Sequence, residues 1–331
     1  MTHPPIDVTD AEIDQAVAAL SAGQLVAIPT ETVYGLAADA TNDDAVARVF
    51  ALKGRPADRP VIVHLGAAED LSDWAVDIPD YAQAWAEHFW PGPLTLVLQK
   101  KEHVSGSITA GQPTVACRVP AHPVALTVLK RLGRALVAPS ANRYGQISPT
   151  TAEAVHDEFG TEAPMVLDGG PSDVGIESTI VACVGPKPVI LRAGMITAQA
   201  LEAVGQVSVD GLQSQASVIA PGQVASHYAP RTRCVWVDDA ATVNAYLESF
   251  SADTRVGYLG WQAPPQSVAA AEILADEPKR AAQQLYAALR ELDRAQLDQI
   301  LIHAPPKGAC WDGIRDRLQR ASTASHEQQV V

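Results

Sequence analysis

The chain has 331 residues, more than one core usually organises, so two domains are expected. Its 47% hydrophobic and 19% charged residues exclude wholesale disorder. A net charge of -14 argues against a general basic surface for nucleic acid, since phosphate neutralisation dominates such binding.

Asp7, Asp10, Glu12 and Asp14 occupy the region where a secretory signal would be basic and then apolar. No window approaches the ~18 consecutive apolar residues of a membrane span, and the expectation is a cytoplasmic protein without a membrane partner. Thr9 and Glu12 have capping-box spacing and open a helix through Ile13, Val17 and Leu20 that Gly23 ends. Leu25–Ile28 is a short buried strand stopping at Pro29. A helix over Ala45–Leu52 and a strand over Val61–Val63 hold between them the basic loop Lys53-Gly-Arg55-Pro-Ala-Asp-Arg59-Pro60.

Further strands are expected at Leu94–Leu98, Thr114–Val119, Ala135–Ala138, Met165–Leu167, Thr179–Val184 and Val189–Leu191, with a helix at Val124–Leu132. Many short strands with fewer helices imply an α/β fold on a mixed twisted sheet. From Gly205 to Ala229 periodicity fails, which places a linker at 206–230 between a domain at 1–205 and another at 231–331. Beyond it, strands at Cys234–Val237, Arg255–Leu259, Glu272–Leu274 and Gln299–Ile302 alternate with helices at Ala240–Phe250, Lys279–Leu292 and Trp311–Ala321, the pattern of a small doubly wound, Rossmann-like domain.

Neither GxxxxGK[ST] nor GxGxxG occurs in the sequence. Cys117, Cys183, Cys234 and Cys310 lack metal-ligand spacing and read as buried thiols. Residues 1–230 hold 13 Lys/Arg against 25 Asp/Glu, yet three cations fall within 53–59, which suggests a small anionic ligand as readily as a solvated basic loop. Ser140 and Asn142 emerge at a strand end, a common ligand position and equally a common place for a turn. His64 closes an apolar strand, as many structural histidines do. Arg118 interrupts another, and its charge demands a partner. Thr30-Glu31-Thr32, the run Gly175 to Thr179 and Arg192 are individually weak candidates, and Phe89-Trp90-Pro91-Gly92-Pro93 reads as packing and punctuation.

Taken together and in order, PTETVYGL (29–36), KGRPADRPVIVHL (53–65), FWPGPLT (89–95), TVACRVPAH (114–122), PSANRYGQISPT (139–150), GIESTI (175–180) and ILRAG (190–194) closely resemble the YrdC-like family, and HYAP (227–230) resembles the linker signature of its longer, two-domain members. The resemblance implies a YrdC-like twisted mixed sheet and a nucleotidyltransferase. Its activity would form L-threonylcarbamoyl-AMP and pyrophosphate from L-threonine, bicarbonate or CO2, and ATP with Mg2+, supplying the downstream tRNA threonylcarbamoyl-transfer machinery. Carried over residue by residue, it implies that Lys53, Arg55 and Arg59 meet the ATP phosphates, Lys53 and Arg55 as the catalytic pair. Thr114, Ser140, Asn142, Ser148, Arg192 and Tyr228 join the nucleotide, Asn142 also supporting the strand-end turn and Tyr228 forming part of a lid. Thr32, His64, Arg118, Ala138 and Ser178 would surround threonine.

The chain departs from the family pattern at Arg59, at Ala138 where a hydroxyl residue often stands, and in the Gln-Val-Ala-Ser run before His227. Two other readings are an RNA-binding module, against which the acidic charge counts, and a carbamoyl-transfer unit, which normally sits beside Cys-rich modules that this chain lacks.

Overall fold

The computed structural model describes residues 8–212, 228–251 and 253–327. The chain folds as two compact units, Met1–Tyr144 with Pro149–Gln223, and Gly145–Ser148 with Val224–Val331. Most of the expected linker, 213–227 including His227, lies outside the described residues. Its first residues belong to the first unit: Val209 is buried in the main core, and Asp210 exchanges backbone hydrogen bonds with Pro188 and Ile190.

In the first unit the strands are β1 (Val26–Ile28), β2 (Gly35–Asp39), β3 (Ile62–His64), β4 (Ala75–Val76), β5 (Leu94–Lys100), β6 (Thr114–Arg118), β7 (Leu136–Val137), β8 (Met165–Val166), β9 (Thr179–Ala182) and β10 (Val189–Arg192). They form one mixed sheet in the order β10-β9-β5-β6-β3-β7-β2-β1-β8, with β4 paired to β5. The helices are α1 (Asp10–Ser21), α2 (Asp43–Lys53), α3 (Leu71–Trp74), α4 (Asp80–Phe89), α5 (Gly106–Thr109), α6 (Pro123–Leu132), α7 (Ala152–Phe159) and α8 (Ala198–Gly205). At α1 the expected capping box is present: Thr9 Oγ1 accepts from the Glu12 amide at 3.3 Å, and the Glu12 carboxylate accepts from the Thr9 amide at 2.8 Å.

Alternation along the central strands sets the chemistry of the two faces. Val63, Leu96, Leu98, Val115 and Cys117 enter the main core with Trp85, Trp90 and Leu201. The intervening positions, Ile62 and His64, Thr95 and Val97, Ala116 and Arg118, point the other way. There, Ile62, Val97, Ala116, Ile180, Ala182 and Leu191 form only a small apolar cluster. Helices α1 and α6 bury Val26, Ile28, Leu136 and Ala138, whereas His64 and Arg118 lie side by side on the paired ends of β3 and β6.

Strand β2 and helices α4, α7 and α8 are additions to the elements expected from sequence. All five residues of β2, GLAAD, are buried, so it has no polar alternation to reveal it. Helix α4 buries Ala82 and Ala86 beside Trp85, α7 buries Ala152, Ala154, Val155 and Phe159, and α8 buries Leu201 alone. Lys53 is the last residue of α2 rather than part of the following loop. One cysteine reading is corrected: Cys117, Cys183 and Cys234 are buried, but Cys310 is exposed.

The second unit carries β11 (Arg233–Val237), β12 (Val256–Gly260), β13 (Ala270–Ile273) and β14 (Gln299–His303), all parallel in the order β11-β14-β12-β13. Its helices are α9 (Ala240–Ser249), α10 (Pro278–Arg294) and α11 (Asp312–Glu327). Val237, Val243, Val256, Tyr258 and Leu301 form a core cluster, as the expected doubly wound arrangement requires.

Gly35 is the point of closest approach between β2 and the end of β7, where a Cβ would stand 3.1 Å from Ala138 Cβ. Gly35→Ala is therefore expected to lose about 1–3 kcal/mol through overpacking, measured by chemical denaturation; unchanged stability would contradict this packing.

Candidate active site

Arg118 is 3% exposed and ends β6, so a guanidinium is held within the sheet rather than at its surface. Three of its five N–H groups have partners: Nε donates to Gly92 O at 3.1 Å, Nη1 to Thr32 Oγ1 at 2.9 Å, and Nη2 to Glu31 Oε1 at 2.6 Å. The second Glu31 oxygen accepts from the Ala121 amide at 3.0 Å, which ties the carboxylate to the turn after β6. Thr30 Oγ1 donates to Val33 O at 2.6 Å, so in the Thr30–Thr32 hydroxyl pair at 2.8 Å Thr32 is the donor. The Thr32 oxygen is then free to accept from Arg118.

His64 lies beside Arg118 in the β3–β6 register and is buried. Burial, and then the Arg118 charge, push its pKa down to about 3, so the imidazole is neutral at physiological pH. Its Nδ1 is a buried atom without a hydrogen-bond partner in the protein. On the adjoining strands, Thr95 and Ser178 share a hydroxyl hydrogen bond of 2.7 Å, and Arg192 donates from Nη2 to Ser178 Oγ and from Nε to Ser178 O, each at 3.0 Å.

A second group surrounds the turn after β7. The Lys53 ammonium is buried and donates to the backbone carbonyls of Ser140 and Asn142. Burial, then the Arg55 charge, push it well below the ordinary lysine range, and Glu158 and Glu177 oppose that shift. Asn142 Nδ2 donates to Arg143 O at 2.8 Å, and the Ser140 backbone bridges to Gly35. Ala138 is buried beside Gly35. Arg55 donates to Pro60 O at 2.7 Å and lies 5.8 Å from the Phe50 ring centre and 5.9 Å from that of Tyr144. Arg59 is half-buried, with its Nε 3.6 Å from Asp58 Oδ1.

Thr114 is buried at the opposite end of β6, four residues or about 13 Å of strand from Arg118. Ser148 and Tyr228 belong to the second unit. There the Tyr228 ring centre is 5.2 Å from Arg317 Cζ and 6.1 Å from the Tyr286 ring, and its backbone is left-handed at φ 62°. Within the same unit the Ala229 amide donates to Gly145 O at 2.9 Å, and Arg290 Nη2 to Ile147 O at 2.6 Å. A cavity of about 670 Å³ lined by Asp43, Gly66, Asp70, Trp74 and Lys130 shares none of the residues of either group in the first unit.

A family model for Sua5/YciO/YrdC proteins, described as telomere recombination, matches residues 18–194, more than half of the chain. The chain belongs to the Sua5/YciO/YrdC family. A second model, the C-terminal domain of threonylcarbamoyl-AMP synthase, matches residues 196–323. The chain is 38% identical over 328 residues to the threonylcarbamoyl-AMP synthase of Bacillus subtilis, covering 96% of this chain and 94% of that one. It is 38% identical over 312 residues to the same enzyme from Pyrococcus abyssi, covering 91% of each. A crystal structure of Pyrococcus abyssi Sua5 complexed with L-threonine superposes with a TM-score of 0.88 at 35% identity, covering 96% of each chain. No helix among the described residues of this Sua5 homologue is long and apolar enough to cross a membrane.

Three further residues contribute to the site. Glu31 was visible as the central residue of Thr30-Glu31-Thr32, but only the fold shows that it answers the charge of Arg118. Gly92 supplies a carbonyl to Arg118 from a turn read as punctuation, and a Cβ there would collide with Phe89 O. Thr95 anchors Ser178 from within an apolar strand.

His64 also makes stability pH-dependent. Its folded pKa of about 3 lies below the ~6.5 of an exposed histidine, so the unfolded chain takes the proton first. Its contribution is full above ~6.5 and is lost as pH falls towards about 3. The thermal midpoint should fall between pH ~6.5 and ~4, less steeply in His64→Gln; equal slopes would contradict a buried neutral imidazole.

Proposed function

We propose that the chain is a threonylcarbamoyl-AMP synthase: the amine of L-threonine adds to CO2 drawn from bicarbonate, and the resulting carbamate oxygen attacks the α-phosphorus of ATP. Pyrophosphate leaves, and the product is a mixed carbamic–phosphoric anhydride. The observation that supports this reading best is the buried Arg118, which keeps one N–H on each terminal nitrogen after its three protein partners are met. Such a fork suits an α-carboxylate. Beside it the unpartnered Nδ1 of neutral His64 can accept a hydrogen bond from the amine side of the same amino acid.

In this proposal Lys53 uses two of its three N–H groups to hold the carbonyls of Ser140 and Asn142, and it offers the third, together with Arg55, to phosphate oxygens. Arg59, Thr114, Ser140, Asn142 and Arg192 of the first unit are assigned to the nucleotide, Asn142 also supporting the turn. Thr32, Ala138 and Ser178 complete the threonine side. Nucleotidyl transfer of this kind depends on positioning and charge stabilisation and needs no protein nucleophile. Consistently, burial raises the Cys117 and Cys183 thiols well above the ordinary range, away from reactivity.

No group of three or more His, Cys, Asp or Glu side chains suited to a metal ion occurs among the described residues. Magnesium is proposed only as the ion that accompanies the ATP phosphates. The anhydride is hydrolysable, and its proposed consumer is a group-transfer system that acts on tRNA.

Purified protein with ATP, magnesium and bicarbonate is expected to release pyrophosphate only when threonine is present, with serine and valine poorer. Arg55→Ala should lower kcat/KM by about 10–100-fold, the cost of losing a charged hydrogen-bonding group of about 1.5–3 kcal/mol. Release that is independent of threonine, or insensitive to Arg55→Ala, would overturn the assignment.

A further inference from the structure

We propose that Glu31 is a positioning residue for substrate recognition, fixing the Arg118 guanidinium so that its two remaining N–H groups present a fork to the carboxylate of the amino-acid substrate. The inference rests on the reading of this face as the threonine site and goes beyond it, since Glu31 need not touch the substrate.

The geometry that carries the proposal is a two-ended clamp. One Glu31 oxygen holds Arg118 Nη2 at 2.6 Å while the other holds the Ala121 amide at 3.0 Å, so the carboxylate is braced against backbone rather than free to turn with its partner. Glu31 is 5% exposed and Arg118 3%, which keeps water from substituting for either. Thr32 and the Gly92 carbonyl fix the guanidinium at two further points, Nη1 and Nε. A planar cation held at all three nitrogens keeps a single orientation, and the direction of the uncommitted N–H groups is thereby set before a ligand arrives. An amide cannot replace the clamp. A glutamine offers one acceptor where the site needs two, so either Arg118 or Ala121 would face an N–H group instead of an oxygen.

The charge of Glu31 matters as well. With its partner carboxylate in place, the buried cation is already compensated in the empty site, so an arriving carboxylate is recognised by directed hydrogen bonds more than by raw attraction. Discrimination should therefore follow the shape and acceptor capacity of the ligand's C-terminal group.

The test compares wild type, Glu31→Gln and Glu31→Asp in pyrophosphate release, varying L-threonine, L-threoninamide and ATP separately. L-Threoninamide keeps the size of the substrate but replaces the carboxylate oxygen pair. Wild type should show a KM for threoninamide at least tenfold above that for threonine. In Glu31→Gln the KM for threonine should rise about tenfold or more, the preference over threoninamide should collapse, and the KM for ATP should stay within about twofold. Glu31→Asp, which retains the charge but is one methylene shorter, should restore part of the preference, and it carries the same test if Glu31→Gln does not fold. A folded Glu31→Gln that keeps the wild-type preference, or loses affinity for threonine, threoninamide and ATP alike, would overturn the proposal. Absence of threonine-dependent release in wild type would instead overturn the functional reading beneath it.

Discussion

A charged arginine inside a β-sheet constrains everything around it. An unpaired guanidinium in such a place would cost several kcal/mol, and breaking a buried pair by removing one partner typically costs about 3–5 kcal/mol. Arg118 meets that requirement with Glu31, Thr32 and Gly92, three residues from two separate turns. The segment after β1, the turn before β5 and the end of β6 must therefore close on one point. The hydrogen bonds that satisfy the charge also define the floor of the candidate site.

The rest of the site follows from strand alternation. One set of positions on β3, β5 and β6 is given to the main core, and the other is left over a cluster too small to occupy the face. His64, Thr95 and Arg118 are polar residues at these alternate positions, and Ser178, just before β9, joins them through Thr95. Burial makes each strongly dependent on its neighbours. It keeps His64 neutral, commits the Thr32 hydroxyl as an acceptor, and turns Lys53 from a surface cation into a brace for the turn at Ser140 and Asn142. A site built in this way is rigid before it binds, which suits chemistry that depends on alignment.

Much of this was legible in the chain. The capping box at Thr9, the apolar runs that became β1, β3, β5 and β6, and the parallel α/β alternation after residue 231 are local signals, and the fold preserves them. The motif-bearing residues Thr32, His64, Arg118, Ser178 and Arg192 also converge on one face. What escaped depends on tertiary context. Strand β2 is buried along its whole length and has no alternation to read, and helix α8 buries Leu201 alone. The partner of Arg118 lies 87 residues away in the chain, so no spacing rule could name it. Lys53 read as a loop cation because a lysine after an apolar helix normally reaches solvent, and only the carbonyls of a distant turn draw it inward.

The most direct measurement is a crystal structure of this protein with L-threonine bound. The account predicts the threonine carboxylate within hydrogen-bonding distance of both terminal nitrogens of Arg118, the Glu31–Arg118 pair unbroken and His64 Nδ1 facing the amine. A carboxylate bound away from Arg118, or one that displaces Glu31 from it, would contradict the central claim that a pre-paired buried arginine recognises the substrate.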